Sequence, residues 1–248
     1  MNANKLKLKT ILKKPTSLYE LFQSKTTISS SVKNKVAVNK VYFKAYDRFP
    51  AISLGKSTLS SALKKTLSNR TSERNSKKDS LISSKKLGSL LYYSAGMHTY
   101  VNPFESYRYY PSAGGRFPLE LYIIPNRVEG LSARAVYHYN VKGDYLEERL
   151  STDKDIIKGC FQQDFVEKSD AILVISGIFK RTTVKYGERG YKYALIESGH
   201  VGQNIYLVGK ELGFQICGIC GFFDNDLNKY LHIDGVAESV LYCFTINS

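Results

Sequence analysis

The chain has 248 residues, enough to bury a substantial core in one domain or in one domain plus an arm. Its formal charge of +14 is local: residues 1–86 hold 20 Lys and Arg against 4 Asp and Glu, whereas residues 87–248 hold 16 against 18. A basic N-terminal third favours anionic partners such as nucleic acid, an acidic peptide, a membrane surface or a phosphate-bearing cofactor. No apolar run approaches the length of a membrane span. Lys5, Lys7, Lys9, Lys13 and Lys14 are not followed by the roughly 7–15 apolar residues of a secretory signal. Cys160, Cys217, Cys220 and Cys243 form no evenly spread disulfide framework, so a cytoplasmic protein with reduced thiols is expected.

In chain order, residues 1–40 read as a flexible basic arm in which Leu18, Leu21 and Phe22 make one amphipathic helical turn. The domain is expected over 41–248. Its aromatic first segment, 41–52, would dock on the rest. Ser57 or Thr58 would cap a helix running to about Leu67. After a polar stretch at 68–80, a helix starting past Ser83 or Ser84 carries Leu87, Leu90 and Leu91 on one face. Residues 119–124 and 135–139 read as strands, 156–165 as a helix and 171–177 as a buried strand. The longest helical pattern spans 190–212, with Ala194, Val201, Ile205, Val208 and Leu212 at helical spacing. Gly199, Gly202 and Gly209 on that helix would let another backbone approach closely. A strand at 215–220, a short helix at 224–231 and a final strand at 238–246 complete an α+β or α/β layered domain.

Four motifs can carry chemistry. Arg70, Thr71, Ser72 and Arg74 set two guanidinium forks beside two hydroxyls, a donor set suited to a phosphate monoester. In a Lys- and Ser-rich region the same cluster also arises as solvated surface. Pro111, Ser112, Ala113, Gly114 and Gly115 precede a strand; the glycines let backbone amides approach a flat ligand, although a plain tight turn has this composition too. Lys185 and Tyr186 open an aromatic run with Gly187 and Gly190, although an aromatic-rich loop whose charges merely face solvent has this composition too. An ammonium beside a phenol favours the phenolate, and the two make a usable general acid–base pair. Cys217-Gly218-Ile219-Cys220 lacks the further ligands zinc requires. Gly218 and Gly221 are better read as places where backbone meets a ligand, with the cysteines as small apolar fillers.

In this order the motifs resemble the SagB-type azoline dehydrogenases of the nitroreductase superfamily. The likeness covers about residues 43–246. It runs through Arg70, Ser72 and Arg74, then 111–115 with Pro118-Leu119-Glu120-Leu121-Tyr122, then Val128-Glu129-Gly130-Leu131 and Tyr137-His138-Tyr139. It is densest from Lys185 to His200, with Gln203-Asn204 behind. The resemblance implies a nitroreductase-like α+β fold, with a central mixed or antiparallel sheet sandwiched by helices and FMN at a homodimer interface. Arg70, Thr71, Ser72 and Arg74 would hold the FMN phosphate. Pro111, Ser112, Ala113, Gly114 and Gly115 would lie against the isoalloxazine ring, and Gly218, Cys220 and Gly221 would approach from the other side. Lys185 and Tyr186 match the family's catalytic pair, and no metal is expected.

The expected activity is oxidation of thiazolines or oxazolines to thiazoles or oxazoles in a ribosomally made peptide such as a bacteriocin or toxin. The partners would be the modified precursor peptide and a cyclodehydratase, with nucleic acid and membrane set aside. A general NAD(P)H-dependent nitro or quinone reductase is the alternative enzyme, and a binding protein acting through its basic arm is an alternative of another class. Two departures from the superfamily pattern stand out: Asn75 and Ser76 follow the second arginine where an aromatic residue is usual, and the C-terminal Cys243-Phe244-Thr245-Ile246-Asn247-Ser248 carries no basic residue for the phosphate.

Overall fold

A computed structural model describes residues 17–28, 44, 48, 50–74, 80–102, 105–151, 157 and 159–248. Most of the aromatic segment at 41–49, together with Asn75 and Ser76, lies outside the described residues. The frame is a six-stranded antiparallel sheet of β3 (Leu119–Pro125), β4 (Ala135–Asn140), β5 (Tyr145–Ser151), β6 (Ala171–Ile178), β7 (Gln215–Ile219) and β8 (Glu238–Asn247), in the order β5-β4-β3-β6-β8-β7. Side chains alternate across the sheet. Leu119, Leu121, Ile123, Leu173, Ile175, Phe244 and Ile246 therefore enter one core, and Tyr122, Ile124, Ile172, Val174 and Cys243 enter the other.

Helices cover both faces. The first core is closed by α3 (Ser84–Ala95), through Leu87, Leu90 and Leu91, and by Val201 and Ile205 of the 23-residue helix α6 (Arg189–Glu211). The second is closed by α4 (Asp164–Glu167) and α7 (Asp224–Tyr230), through Val166 and Leu227. The remaining helices are α1 (Leu18–Thr26), α2 (Ser61–Asn69) and α5 (Lys180–Tyr186). A separate hairpin pairs β1 (Met97–Asn102) with β2 (Glu105–Arg108).

Several expectations need correction. Of the helix read at 156–165, residues 156 and 158 lie outside the described residues and Ile157 is helical; beyond it Cys160 closes a turn on the Ile157 carbonyl, Phe161 bridges Phe222, and α4 starts at Asp164. The cap of α2 is Ser60, whose hydroxyl accepts from the Leu63 N–H. The glycines of α6 do not share one backbone contact. Gly202 lies under the rings of Phe244 and Tyr242, Gly209 under Ile216, and Gly199 faces open space. The close backbone approach is at Gly190, where an added Cβ would stand 2.6 Å from the Thr183 nitrogen; this lets α6 cross α5.

Within the stretch read as a flexible arm, α1 is held against the domain. Ser17 and Glu20 form a reciprocal cap at its start. The Tyr19 N–H donates to Glu188 at 2.8 Å, and its ring stacks on Tyr191 with centroids 5.7 Å apart.

One polar cluster ties strands to α5. His138 of β4 bonds Glu120 of β3 at 2.7 Å and Glu147 of β5 at 2.8 Å, and Arg181 of α5 pairs with Glu120 at 2.5 Å. The hydrogen bond to Glu120 raises the His138 pKa above its ordinary 6.5, against the opposing effect of burial. Burial works to raise the Glu120 carboxyl, but His138 and Arg181 outweigh it and hold that carboxyl below its ordinary range. A raised histidine stabilises the fold fully below pH 6.5, and that contribution is lost as pH climbs through the higher folded value. The thermal midpoint is therefore expected to fall above this pH, by about 2–4 °C for each kcal/mol lost. His138→Gln should flatten that part of the profile; an unchanged slope in the variant would reject the assignment.

Candidate functional site

Helix α6 organises two groups of side chains. The first centres on Tyr206. Its hydroxyl lies 2.9 Å from the Ser72 hydroxyl and accepts from the Gly218 N–H at 2.6 Å, and the Arg70 guanidinium sits 5.4 Å from its ring centroid. The run holding Arg70 and Ser72 is tied to β7 because the Glu73 N–H donates to the Ile216 carbonyl at 2.8 Å. In extended backbone alternate residues share a side, which brings Arg70 and Ser72 together. Thr71 is not with them: its hydroxyl donates to Glu73 at 2.7 Å, and the same carboxylate takes Lys210 at 2.6 Å. Arg74 lies over the Phe165 ring at 5.8 Å, apart from the Tyr206 group.

A Cβ at Gly218 would stand 2.5 Å from the Tyr242 hydroxyl, and one at Gly221 would stand 2.6 Å from the Gln163 amide. Both glycines thus answer to protein side chains packed over them. Cys220, between them, is exposed, whereas Cys217 is buried. Tyr206 and Tyr242 went unnoticed in the sequence, where nothing sets them apart from the chain's other tyrosines.

The second group surrounds the glycine turn. Gly114 and Gly115 have φ of 61° and 64°, in the left-handed region that glycine enters without steric penalty. The Ser112 hydroxyl accepts from the Phe117 N–H at 2.8 Å and donates to Glu197 of α6 at 2.9 Å; the Ala113 N–H reaches the same carboxylate oxygen at 3.0 Å. Glu197 is 2% exposed, its other oxygen is buried without a hydrogen-bond partner, and burial pushes its carboxyl above the ordinary range. Sequence reading passed over Glu197, since a carboxylate on an amphipathic helix ordinarily faces solvent. Replacing it with Ala strands the Ser112 hydroxyl and the Ala113 N–H. The expected cost is about 1–3 kcal/mol per stranded group, read as a lower denaturation midpoint; a midpoint equal to wild type would show that the carboxylate does not hold the turn.

Lys185 and Tyr186 close over this turn. A side chain at Gly114 would collide with the Tyr186 hydroxyl and stand 2.8 Å from Lys185 Nζ. The Lys185 ammonium is 5.4 Å from the Tyr186 ring centroid, and Tyr193 packs edge-on against that ring at 5.0 Å. Far from forming a loop, the pair occupies the last turn of α5, and Gly187 with φ 57° ends that helix. Pro111 and Gly115 are exposed at the rim, with open space over Gly115.

Glu197 and Tyr206 are about 13.5 Å apart along α6 at 1.5 Å per residue. The strip between their two groups includes the open face at Gly199. A flavin mononucleotide needs donors for a phosphate at one end and close-approaching backbone for a flat ring at the other. The Arg70 guanidinium and Ser72 hydroxyl meet the first need, and the open left-handed turn at Gly114 and Gly115 meets the second. The residues present fit that group.

The profile of the Nitroreductase family matches residues 67–246. The chain belongs to this family, which is one of oxidoreductases. It is 33% identical over 125 residues to MJ1384, a nitroreductase-like protein of Methanocaldococcus jannaschii, covering 50% of this chain and 63% of the relative. It is 29% identical over 133 residues to the microcin B17-processing protein McbC of Escherichia coli, covering 51% of this chain and 49% of McbC. The chain thus spans half to under two thirds of the length of these two relatives. Among solved structures, the E. coli microcin synthetase McbBCD complex with truncated pro-MccB17 bound superposes with a TM-score of 0.64 at 22% identity, over 91% of this chain and 85% of that one. A nitroreductase-like protein of Desulfovibrio desulfuricans in complex with FMN gives a TM-score of 0.52 at 14% identity, over 77% of this chain and 87% of that one. Both share the α+β fold, an antiparallel sheet flanked by helices.

Proposed function

We propose that the chain is an FMN-dependent dehydrogenase that oxidises thiazolines or oxazolines of a ribosomally made peptide to thiazoles or oxazoles. The observation that carries this reading is the closure of Lys185 and Tyr186 over Gly114. Aromatising an azoline removes one proton and one hydride, and FMN, bound where its donors and the glycine turn lie, would supply the hydride acceptor. Arg70 and Ser72 would hold its phosphate, with a smaller contribution from Arg74. The turn at Pro111, Ser112, Ala113, Gly114 and Gly115 would border its ring, and the stretch of Gly218, Cys220 and Gly221 would approach the cofactor through the side chains packed over it. Tyr186 takes the proton from the ring carbon of the substrate, with the Lys185 ammonium beside it at Gly114. Glu197 keeps the turn in place. A reductase of nitro groups needs no such base, and McbC supports a peptide substrate by its likeness.

Mass spectrometry of a precursor peptide co-expressed with its cyclodehydratase, with and without this chain, tests the reading. A loss of about two mass units per ring is the expected signal; no loss in the presence of a yellow, folded protein would refute it. The likeness to MJ1384 favours a second reading, a general NAD(P)H-dependent nitro or quinone reductase, and turnover of a nitroaromatic without azoline oxidation would select it.

We further propose a homodimer. Leu63 and Leu67 of α2 and Leu195 and Ile196 of α6 are exposed apolar residues in the single chain, as suits a face covered by a second copy. A stable FMN-loaded monomer in sedimentation at micromolar concentration would exclude it. None of the helices among the described residues is long and apolar enough to cross a membrane. Cys217, Cys220 and Cys243 are free thiols, in keeping with the cytoplasmic location proposed.

A further inference from the structure

Beside the glycine turn lies an open pocket of about 320 Å³. Arg108, Arg116, Lys142 and Arg181 line it, together with Glu120 and His138. The charge of Glu120 is already engaged by Arg181 and His138. Arg108, Arg116 and Lys142 have no carboxylate in ion-pair contact among the described residues. The pocket therefore carries a surplus of positive charge. Arg108 is also pre-placed. Its guanidinium lies 4.5 Å from the Phe117 ring centroid and donates to the Tyr110 hydroxyl at 3.3 Å, and its Nε is buried without a hydrogen-bond partner. A stacked, held guanidinium gives up less freedom on binding than a loose one.

The pocket is built into the same framework as the reactive pair. Arg116 directly follows the glycine turn and donates through Nε to the Arg181 carbonyl at 2.7 Å, while Arg181 donates to the Phe117 carbonyl at 3.0 Å. Lys185 follows Arg181 by one turn of α5, about 6 Å along its axis. Two or three residues of extended peptide cover about 7–11 Å, enough to pass from the pair to the pocket.

We propose that this pocket binds the carboxylate of an Asp or Glu two or three residues from the ring that is oxidised, and so selects peptide substrates. The proposal rests on the peptide-dehydrogenase reading above. Glu120 in the lining argues for a singly charged carboxylate over a phosphate dianion, which would stand closer to like charge than its gain in contacts offsets.

The test uses the full chain and a fluorescent Gly–Ser peptide without azolines that carries one Glu, compared with the same peptide carrying Gln. The Glu peptide is expected to bind about tenfold more tightly, to weaken as salt is raised, and to lose its advantage in the Arg116→Gln, Lys142→Gln double variant. Lys142→Gln alone, at the exposed turn between β4 and β5, should lose part of it and guards against a folding defect at Arg116. Equal affinity for the two peptides, or an unchanged preference in both variants, would overturn the proposal. So would displacement by inorganic phosphate at lower concentration than by a free Glu peptide, which would make this a phosphate site. Because binding is read on ring-free peptides, a wild-type chain that prefers the Glu peptide yet oxidises no azoline would sink the dehydrogenase reading while the pocket's preference stood.

Discussion

Tyr186→Phe should slow single-turnover flavin reduction by an azoline peptide by about 10²–10⁴-fold, the range of general-base catalysis. The substitution keeps the ring that packs on Tyr193 and removes only the hydroxyl that meets Gly114. The Lys185 ammonium lies 5.4 Å from the ring centroid and meets the same face of Gly114, so Lys185→Ala should fall in the same range. Neither side chain is assigned to the phosphate end, so both variants should stay yellow and folded. If Tyr186→Phe reduces its flavin at the parent rate, the hydroxyl takes no part in proton removal, whatever Lys185→Ala does.

Arg70→Ala is expected to weaken FMN retention by about one to two orders of magnitude. A charge-assisted hydrogen bond contributes about 1.5–3 kcal/mol, and each 1.4 kcal/mol is tenfold in affinity. Arg70 and Ser72 meet at Tyr206, whereas Arg74 lies over Phe165, so the loss should be larger for Arg70 than for Arg74. Equilibrium dialysis of FMN against the two variants measures the difference. Equal affinity of Arg70→Ala and wild type would move the phosphate elsewhere.

The elements that bury apolar residues on a regular spacing were legible in the sequence. The strands β3, β6 and β8 alternate between two cores, and α3 and α6 each show an apolar face at helical period, so pattern and fold agree there. The hairpin of β1 and β2 was not legible. Its residues are largely exposed and show no apolar alternation in sequence, since what holds them is pairing with each other. The edge strand β5, with Glu147, Glu148 and Arg149 in succession, hides its character for a related reason: charged residues protect an open sheet edge and erase the apolar signal. Helix α5 starts directly after β6, on Phe179, without a side-chain cap, and its Thr182, Thr183 and Val184 favour extended chain; packing against α6 at Gly190 makes it a helix.

For the site, the residue types of each motif were legible in advance: forks and hydroxyls at 70–74, a glycine-bearing turn at 111–115, an ammonium next to a phenol at 185–186. Those are local properties, set by side-chain chemistry and by the freedom of glycine to take positive φ. Which motifs meet was decided only by the tertiary structure. Glu197, 85 positions from Ser112, is brought under the turn by α6, and Tyr206 is brought between Ser72 and Gly218, which lie 134 and 12 positions away. Such contacts depend on how one long helix lies across a sheet, which no short window of sequence encodes. The same holds for the cationic pocket, whose arginines and lysine come from β2, the glycine turn, the β4–β5 turn and α5. Their charges become one surface only when burial of the apolar faces fixes where those elements stand.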